Sequence, residues 1–146
     1  MITLVPLSLA VKELHFACGL PGFPGVRRFD CVRWGGPESP FVVLTGHEPG
    51  KIRLVAVAPE PFFDGYRPEF SADHLALVGL DRLEDAVVLV IVTLGGELSE
   101  ATANLLGPLL VNPVTGKTVQ AVQRDGSWDT RAALVPAAGS VSGDEG

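Results

Sequence analysis

The sequence predicts an all-β domain, a barrel or a sandwich, with one short helix. Three observations lead there. Residues 86–94, Ala-Val-Val-Leu-Val-Ile-Val-Thr-Leu, are rich in β-branched side chains and hold no charge, glycine or proline. Such side chains lose less freedom on a pleated surface than on a helix. Glycine (17) and proline (12) recur along the 146 residues and divide short apolar runs at close intervals, which is the punctuation of short strands joined by turns. A single segment, residues 71–79, carries helix start and stop signals. A length of 146 residues with 47% hydrophobic content suits one domain with a real core and argues against global disorder.

The run 86–94 organises the rest. At period two, Ala86, Val88, Val90, Val92 and Leu94 form one face and Val87, Leu89, Ile91 and Thr93 the other. Both faces are apolar, so this is a central strand covered on both sides. It is far too short to cross a membrane as a helix, which takes about 20 apolar residues. Upstream, residues 3–16 read as a first strand or strand pair, with Pro6 at an edge. Their apolar start lacks a charged leader and reads as a strand rather than a signal peptide, which makes the cytoplasm the default location. Gly19-Leu20-Pro21-Gly22-Phe23-Pro24-Gly25 is a rigid loop, since two triplets cannot make a collagen helix. Residues 26–34 form the next strand, with Phe29 and Cys31 on one face and Val32 and Trp34 on the other. Gly35-Gly36-Pro37 then turns the chain.

Residues 41–45 and 52–58 are short strands around a hairpin-length loop at 46–50. Pro59-Glu60-Pro61 ends the second of them, because proline cannot donate to the ladder. In the helical segment Ser71 is the N-cap, Asp73 suits the positive first turn and Gly79 follows the C-cap. One face of this helix is available to cover an apolar face of the sheet. After the central strand, a loop runs from Gly95-Gly96 to Glu100. Residues 102–111 are a second long apolar run in which Gly107-Pro108 marks a bulge or bend. Asn112-Pro113-Val114-Thr115-Gly116 is a turn, 117–124 a strand of mixed polarity and 126–134 a last edge segment. The expected domain is residues 1–135, followed by a small, polar, acidic tail at 136–146 with the composition of a disordered segment.

The chemistry-bearing residues exclude more than they suggest. The formal net charge is −6, and no cluster of lysine and arginine offers a phosphate-binding surface, so no nucleic acid is expected. An acidic balance suits a basic protein partner and is equally ordinary for a soluble protein. Gly116-Lys117-Thr118 resembles the end of a P-loop, but Val111 stands where that motif needs glycine and a strand follows, so a hairpin turn is the better reading. His15, His47 and His74 lack ligand spacing from one another or from cysteine, so neither metal nor cofactor is expected. No serine has a nucleophile-elbow context. Cys18 and Cys31 form no disulfide framework and read as reduced thiols in or near the core. Glu84-Asp85 and Glu97 flank the central strand and solvate its ends. The sequence is that of a protein without catalytic residues.

The candidate partner-binding residues are Phe62, Phe63, Asp64, Tyr66 and Glu69. The aromatics read first as core or rim packing and second as a docking patch. Their charge context favours a partner. Between Glu60 and Asp85 stand seven acids (Glu60, Asp64, Glu69, Asp73, Asp81, Glu84, Asp85) against Arg67 and Arg82, which leaves five negative charges beside a net charge of −6. A hydrophobic spot ringed by acids steers a basic partner.

Taken in order, these residues resemble one family, the flagellar assembly factor FliW. The resemblance rests on Gly19-Leu20-Pro21-Gly22-Phe23, Arg28-Phe29, Ser39-Pro40-Phe41 and Pro59-Glu60-Pro61-Phe62-Phe63-Asp64-Gly65-Tyr66. It continues through Leu77-Val78-Gly79-Leu80, Val90-Ile91-Val92-Thr93, Thr102-Ala103-Asn104-Leu105, Gly107-Pro108-Leu109-Leu110-Val111-Asn112 and Val119-Gln120-Ala121-Val122. It implies a small antiparallel β-barrel-like domain without catalysis. It also implies two protein partners: the translational repressor CsrA, which FliW-like proteins release from flagellin messenger RNA, and flagellin itself. Most of the family-typical residues, among them Gly22, Asn104 and Pro108, read as structural. A barrel with a small-molecule pocket is the alternative.

Overall fold

The computed structural model describes residues 12–17, 26–35, 39–47, 52–94, 100–124 and 127–134. Among the described residues nine strands run in chain order: β1 (Glu13–Phe16), β2 (Arg28–Trp34), β3 (Phe41–Gly46), β4 (Arg53–Val57), β5 (Val87–Thr93), β6 (Thr102–Ala103), β7 (Leu109–Val111), β8 (Lys117–Gln120) and β9 (Ala132–Ala133). Between β4 and β5 lie the helix α1 (Ala72–Leu77) and a 3-10 turn at Leu83–Asp85. No helix among the described residues is long and apolar enough to cross a membrane.

Hydrogen bonding closes the sheet on itself. The order is β4-β3-β2-β1-β8-β7-β5, and β5 returns to β4 through Val55↔Val92, Ala56↔Ile91 and Val57↔Val90. All pairings are antiparallel except β1 with β8, which runs parallel with His15↔Lys117 and Phe16↔Thr118. There His15 N–H donates to the Gly116 carbonyl at 2.8 Å and Ala17 N–H to that of Thr118 at 3.0 Å. A closed barrel leaves no open edge in its wall. The strands β6 and β9 extend the sheet outward from the C-terminal half of β5.

Alternation along each strand sorts side chains into three cores. Leu14, Phe16, Phe29, Cys31, Val42, Leu44, Ala56, Leu89, Leu109 and Val111 fill the barrel interior. Outside the wall, Val57, Val90, Val92, Ala103 and Leu105 are covered by Phe62, Phe63, Tyr66 and Trp128. A third cluster joins Val78, Leu110 and Val119 to Phe70, Leu75, Leu80 and Val88 beneath α1. The central strand therefore has Leu89 in the barrel and Val88 and Val90 in the outer clusters, which is why both its faces are apolar. Each such buried aliphatic side chain contributes on the order of 1.5–3 kcal/mol.

The helix follows its expected caps. The Ser71 hydroxyl accepts the His74 N–H and His74 Nδ1 accepts the Ser71 N–H, both at 3.1 Å, a capping box with histidine in place of the usual glutamate. Gly79 follows with φ +76°, the left-handed conformation that glycine adopts without strain.

One expectation needs correction. Residues 102–111 are not one bent strand. The break at Asn104–Pro108 makes two strands, β6 and β7, which pair with opposite halves of the same edge of β5. The Asn104 side chain fixes that break by accepting the Leu106 and Gly107 N–H groups at 3.0 and 3.1 Å. Glu84-Asp85 flanks β5 as expected, exposed in the 3-10 turn that leads into it. The chain start at 1–11, the glycine-proline loop at 19–25, Cys18, Glu97 and the tail at 136–146 lie outside the described residues.

Candidate partner-binding site

Two prolines shape the segment after β4. Pro59 and Pro61 offer no N–H, and the Pro59 carbonyl instead accepts both the Phe62 and Phe63 N–H groups at 2.9 Å. Tyr66 N–H then donates to Phe63 at 3.2 Å, and Gly65 between them takes φ +82°. This double turn folds Phe62, Phe63 and Tyr66 back over the outer wall of the barrel. Phe62 meets Phe41 edge-on with centroids 5.7 Å apart, and Phe41 meets Trp34 at 5.9 Å. Tyr66 packs edge-on against Trp128 at 4.7 Å and donates its hydroxyl to the Leu105 carbonyl at 2.5 Å. Burial pushes the Tyr66 phenol well above its ordinary range.

The five candidate residues thus divide by role. Phe62, Phe63 and Tyr66 are half-buried and pack the second core, while the side chains of Asp64 and Glu69 face solvent. Glu69 is held through its backbone by a residue that sequence reasoning missed. Buried Gln123 accepts the Glu69 N–H at Oε1 (2.7 Å) and donates from Nε2 to the Glu69 carbonyl (2.9 Å) and to Ala121 (2.7 Å). Trp34, Phe41 and Trp128 were also missed as parts of the aromatic surface. Alternation had placed Trp34 opposite Phe29, but its contact with Phe41 depends on the pairing of β2 with β3.

Two small depressions border the segment from Pro59 to Glu69. One, of about 190 Å³, is lined by Pro59, Phe63, Asp64, Tyr66, Arg67 and Val88. The other, of about 210 Å³, is lined by Arg67, Glu69, Gln123, Arg124 and Trp128. Both fall below the roughly 300–1,000 Å³ of small-molecule sites. All seven acids from Glu60 to Asp85 are exposed. On β2, Val32 and Trp34 remain 62% and 49% exposed, so the apolar surface continues past the flap.

Three other features that the sequence singles out are engaged structurally. Cys31 lies in the barrel interior, and burial pushes its thiol up to about 11 despite the opposing pull of Arg33. His74 serves the capping box. The Gly116-Lys117 segment is a hairpin turn, with the Asn112 side chain accepting the Val114 N–H at 3.0 Å.

A seven-strand barrel with a filled interior, wearing a helix and an aromatic flap on its outer wall, has the fold of a flagellar assembly factor. The crystal structure of the flagellar assembly factor FliW is similar to it with a TM-score of 0.76, over 86% of each chain and at 23% identity. The chain belongs to the FliW family: the family model, FliW protein, matches residues 8–134. The flagellar assembly factor FliW of Symbiobacterium thermophilum is 31% identical over 132 residues, spanning 90% of this chain and 96% of the relative. That of Bacillus velezensis is 34% identical over 120 residues, spanning 81% and 82%.

Proposed function

We propose that this chain is a non-enzymatic cytoplasmic regulator of flagellar assembly. It binds a CsrA-type RNA-binding repressor, lifts it from flagellin messenger RNA, and binds flagellin as the competing partner. Membership of the FliW family supports the flagellar role. One surface observation carries the choice of partner: exposed Glu60 and Asp64 line one depression with half-buried Phe63 and Tyr66, exposed Glu69 lines the next beside Trp128, and the same stretch of chain up to Asp85 carries a further excess of exposed acid. A repressor that holds RNA must present positive charge, because phosphate contacts dominate such binding. An acidic surface meets that charge without touching RNA. The aromatics then give the contact its apolar centre, and the acids at its rim set the rate of encounter.

The switch needs only linkage. If flagellin occupancy weakens repressor binding, repressor occupancy weakens flagellin binding by the same factor. Flagellin suits the role through an amphipathic terminal helix laid against apolar surface. The small-molecule alternative has less support, since the barrel interior is packed with side chains and the two depressions along the segment from Pro59 to Glu69 are small.

Calorimetry of the purified chain with the repressor and with flagellin of the same organism tests the proposal. Saturable binding of both is expected, with repressor affinity falling as salt rises from 50 to roughly 300 mM, as screening requires. Binding of neither protein overturns it.

A further inference from the structure

A like-charge pair sits on the outer wall of the barrel, away from the aromatic flap. Glu13 of β1 and Asp30 of β2 are direct partners across the antiparallel ladder, an arrangement that repulsion disfavours. His47, the residue after β3, sets its Nε2 between them, 2.7 Å from Asp30 Oδ1 and 3.3 Å from Glu13 Oε2. One imidazole nitrogen carries at most one proton, so His47 Nε2 directs an N–H bond to only one of the two carboxylates at a time. A divalent cation at the same place satisfies all three groups.

The geometry suits such an ion. The three ligand atoms lie within 4.8 Å of one another. Around a tetrahedral zinc, ligand atoms bonded at about 2.0–2.2 Å stand roughly 3.3–3.6 Å apart, so the 2.7 Å Asp30–His47 contact must open and any pair near the 4.8 Å limit must close, shifts that these partly exposed side chains can make. Glu13 is also held from outside. Its Oε1 contacts His15 Nε2 at 3.0 Å, and Arg28 Nη2 lies 3.3 and 3.4 Å from its two oxygens. Outer contacts of this kind orient ligating carboxylates. Glu13 and His47 side chains are about one-third exposed, at 30% and 31%, which leaves a coordination position for water. An imidazole beside two carboxylates favours zinc-class ions over magnesium or calcium, which prefer oxygen alone.

We propose that Glu13, Asp30 and His47 bind one divalent transition-metal ion of the zinc class. The ion fastens β1 to β2 and to the end of β3. Because β1 closes the barrel against β8, an ion bound only by the folded state stabilises that closure.

The test uses the full chain, stripped of metal with EDTA and then dialysed, with zinc chloride as the probe. Calorimetry is expected to show one zinc per chain, with a rise in Tm. In NMR spectra zinc is expected to shift the imidazole signals of His47 and leave those of His74 in place. Asp30→Asn and His47→Gln should each weaken zinc binding at least tenfold and remove the Tm rise, with unchanged circular dichroism, and magnesium should do nothing. Absence of saturable binding, binding retained in both variants, or shifts at His74 instead of His47 overturns the proposal. The NMR measurement on the unaltered chain decides the matter even where a variant fails to fold.

Discussion

Replacing Gln123 with Leu separates the flap from the barrel that carries it. Leucine keeps much of the buried volume and removes all three hydrogen bonds that the Gln123 amide makes to Glu69 and Ala121. At about 1 kcal/mol apiece these amount to roughly 3 kcal/mol. Glu69 lies at the surface, so water recovers part of the loss and about 2 kcal/mol remains. For a chain of this size that lowers Tm by roughly 6 °C. Urea unfolding measures the loss, and amide hydrogen exchange locates it. Exchange at Glu69 should accelerate beyond any change across β5, because the interior packing around Leu89 is untouched. Repressor affinity should fall with it, since Asp64 and Tyr66 ride on the same segment. An unchanged urea midpoint together with a slow Glu69 amide would refute this reasoning.

Four further outcomes are expected. Asp64→Lys combined with Glu69→Lys should weaken the CsrA-type repressor about tenfold at low salt, or about 1.4 kcal/mol, without moving Tm, because both side chains are exposed; unchanged affinity would remove this surface as the docking site. Phe63→Ala should cost about 2 kcal/mol by urea unfolding, less than a fully buried phenylalanine, and lower the affinity for one partner; a fully stable, fully binding variant contradicts both the packing and the docking roles. Gly116→Ala should prevent stable folding, since φ is +85° and a Cβ would run into the Glu13 carbonyl at the parallel seam; a normal Tm counts against closure through β1 and β8. Stability should fall as pH rises above 9: the Cys31 thiol rises from 9.0 to about 11 on folding, so between those values the folded state binds more protons than the unfolded one and loses on the order of 2–3 kcal/mol. The raised Tyr66 phenol adds to the same fall, and urea midpoints at pH 8 and 10.5 check the direction.

What the sequence revealed and what it hid follow from distance along the chain. The central strand was legible because both faces of 87–93 are apolar, and β2 because Phe29 and Cys31 alternate with Val32 and Trp34. The helix was legible because Ser71 and Gly79 act within one turn of its ends. The parallel seam between β1 and β8 was not, since nothing in 13–16 names a partner one hundred residues later. Gly107-Pro108 signalled a disturbance, but the outcome depended on β5 offering one edge to two strands. In the candidate site the aromatics and acids were visible as composition. The Gln123 amide that fixes Glu69 lies 54 residues away in sequence, and the meeting of Glu13, Asp30 and His47 depends on strand register. Neither has a local signature.

The most direct measurement of the central claim follows the repressor on its RNA. Fluorescence anisotropy of a labelled flagellin leader RNA, bound to the CsrA-type repressor, is read as the chain is added and then as flagellin is added. The account predicts that the chain lowers the anisotropy to that of unbound RNA and that flagellin restores it. Anisotropy that stays high with the chain in excess, or that flagellin fails to restore, would contradict it.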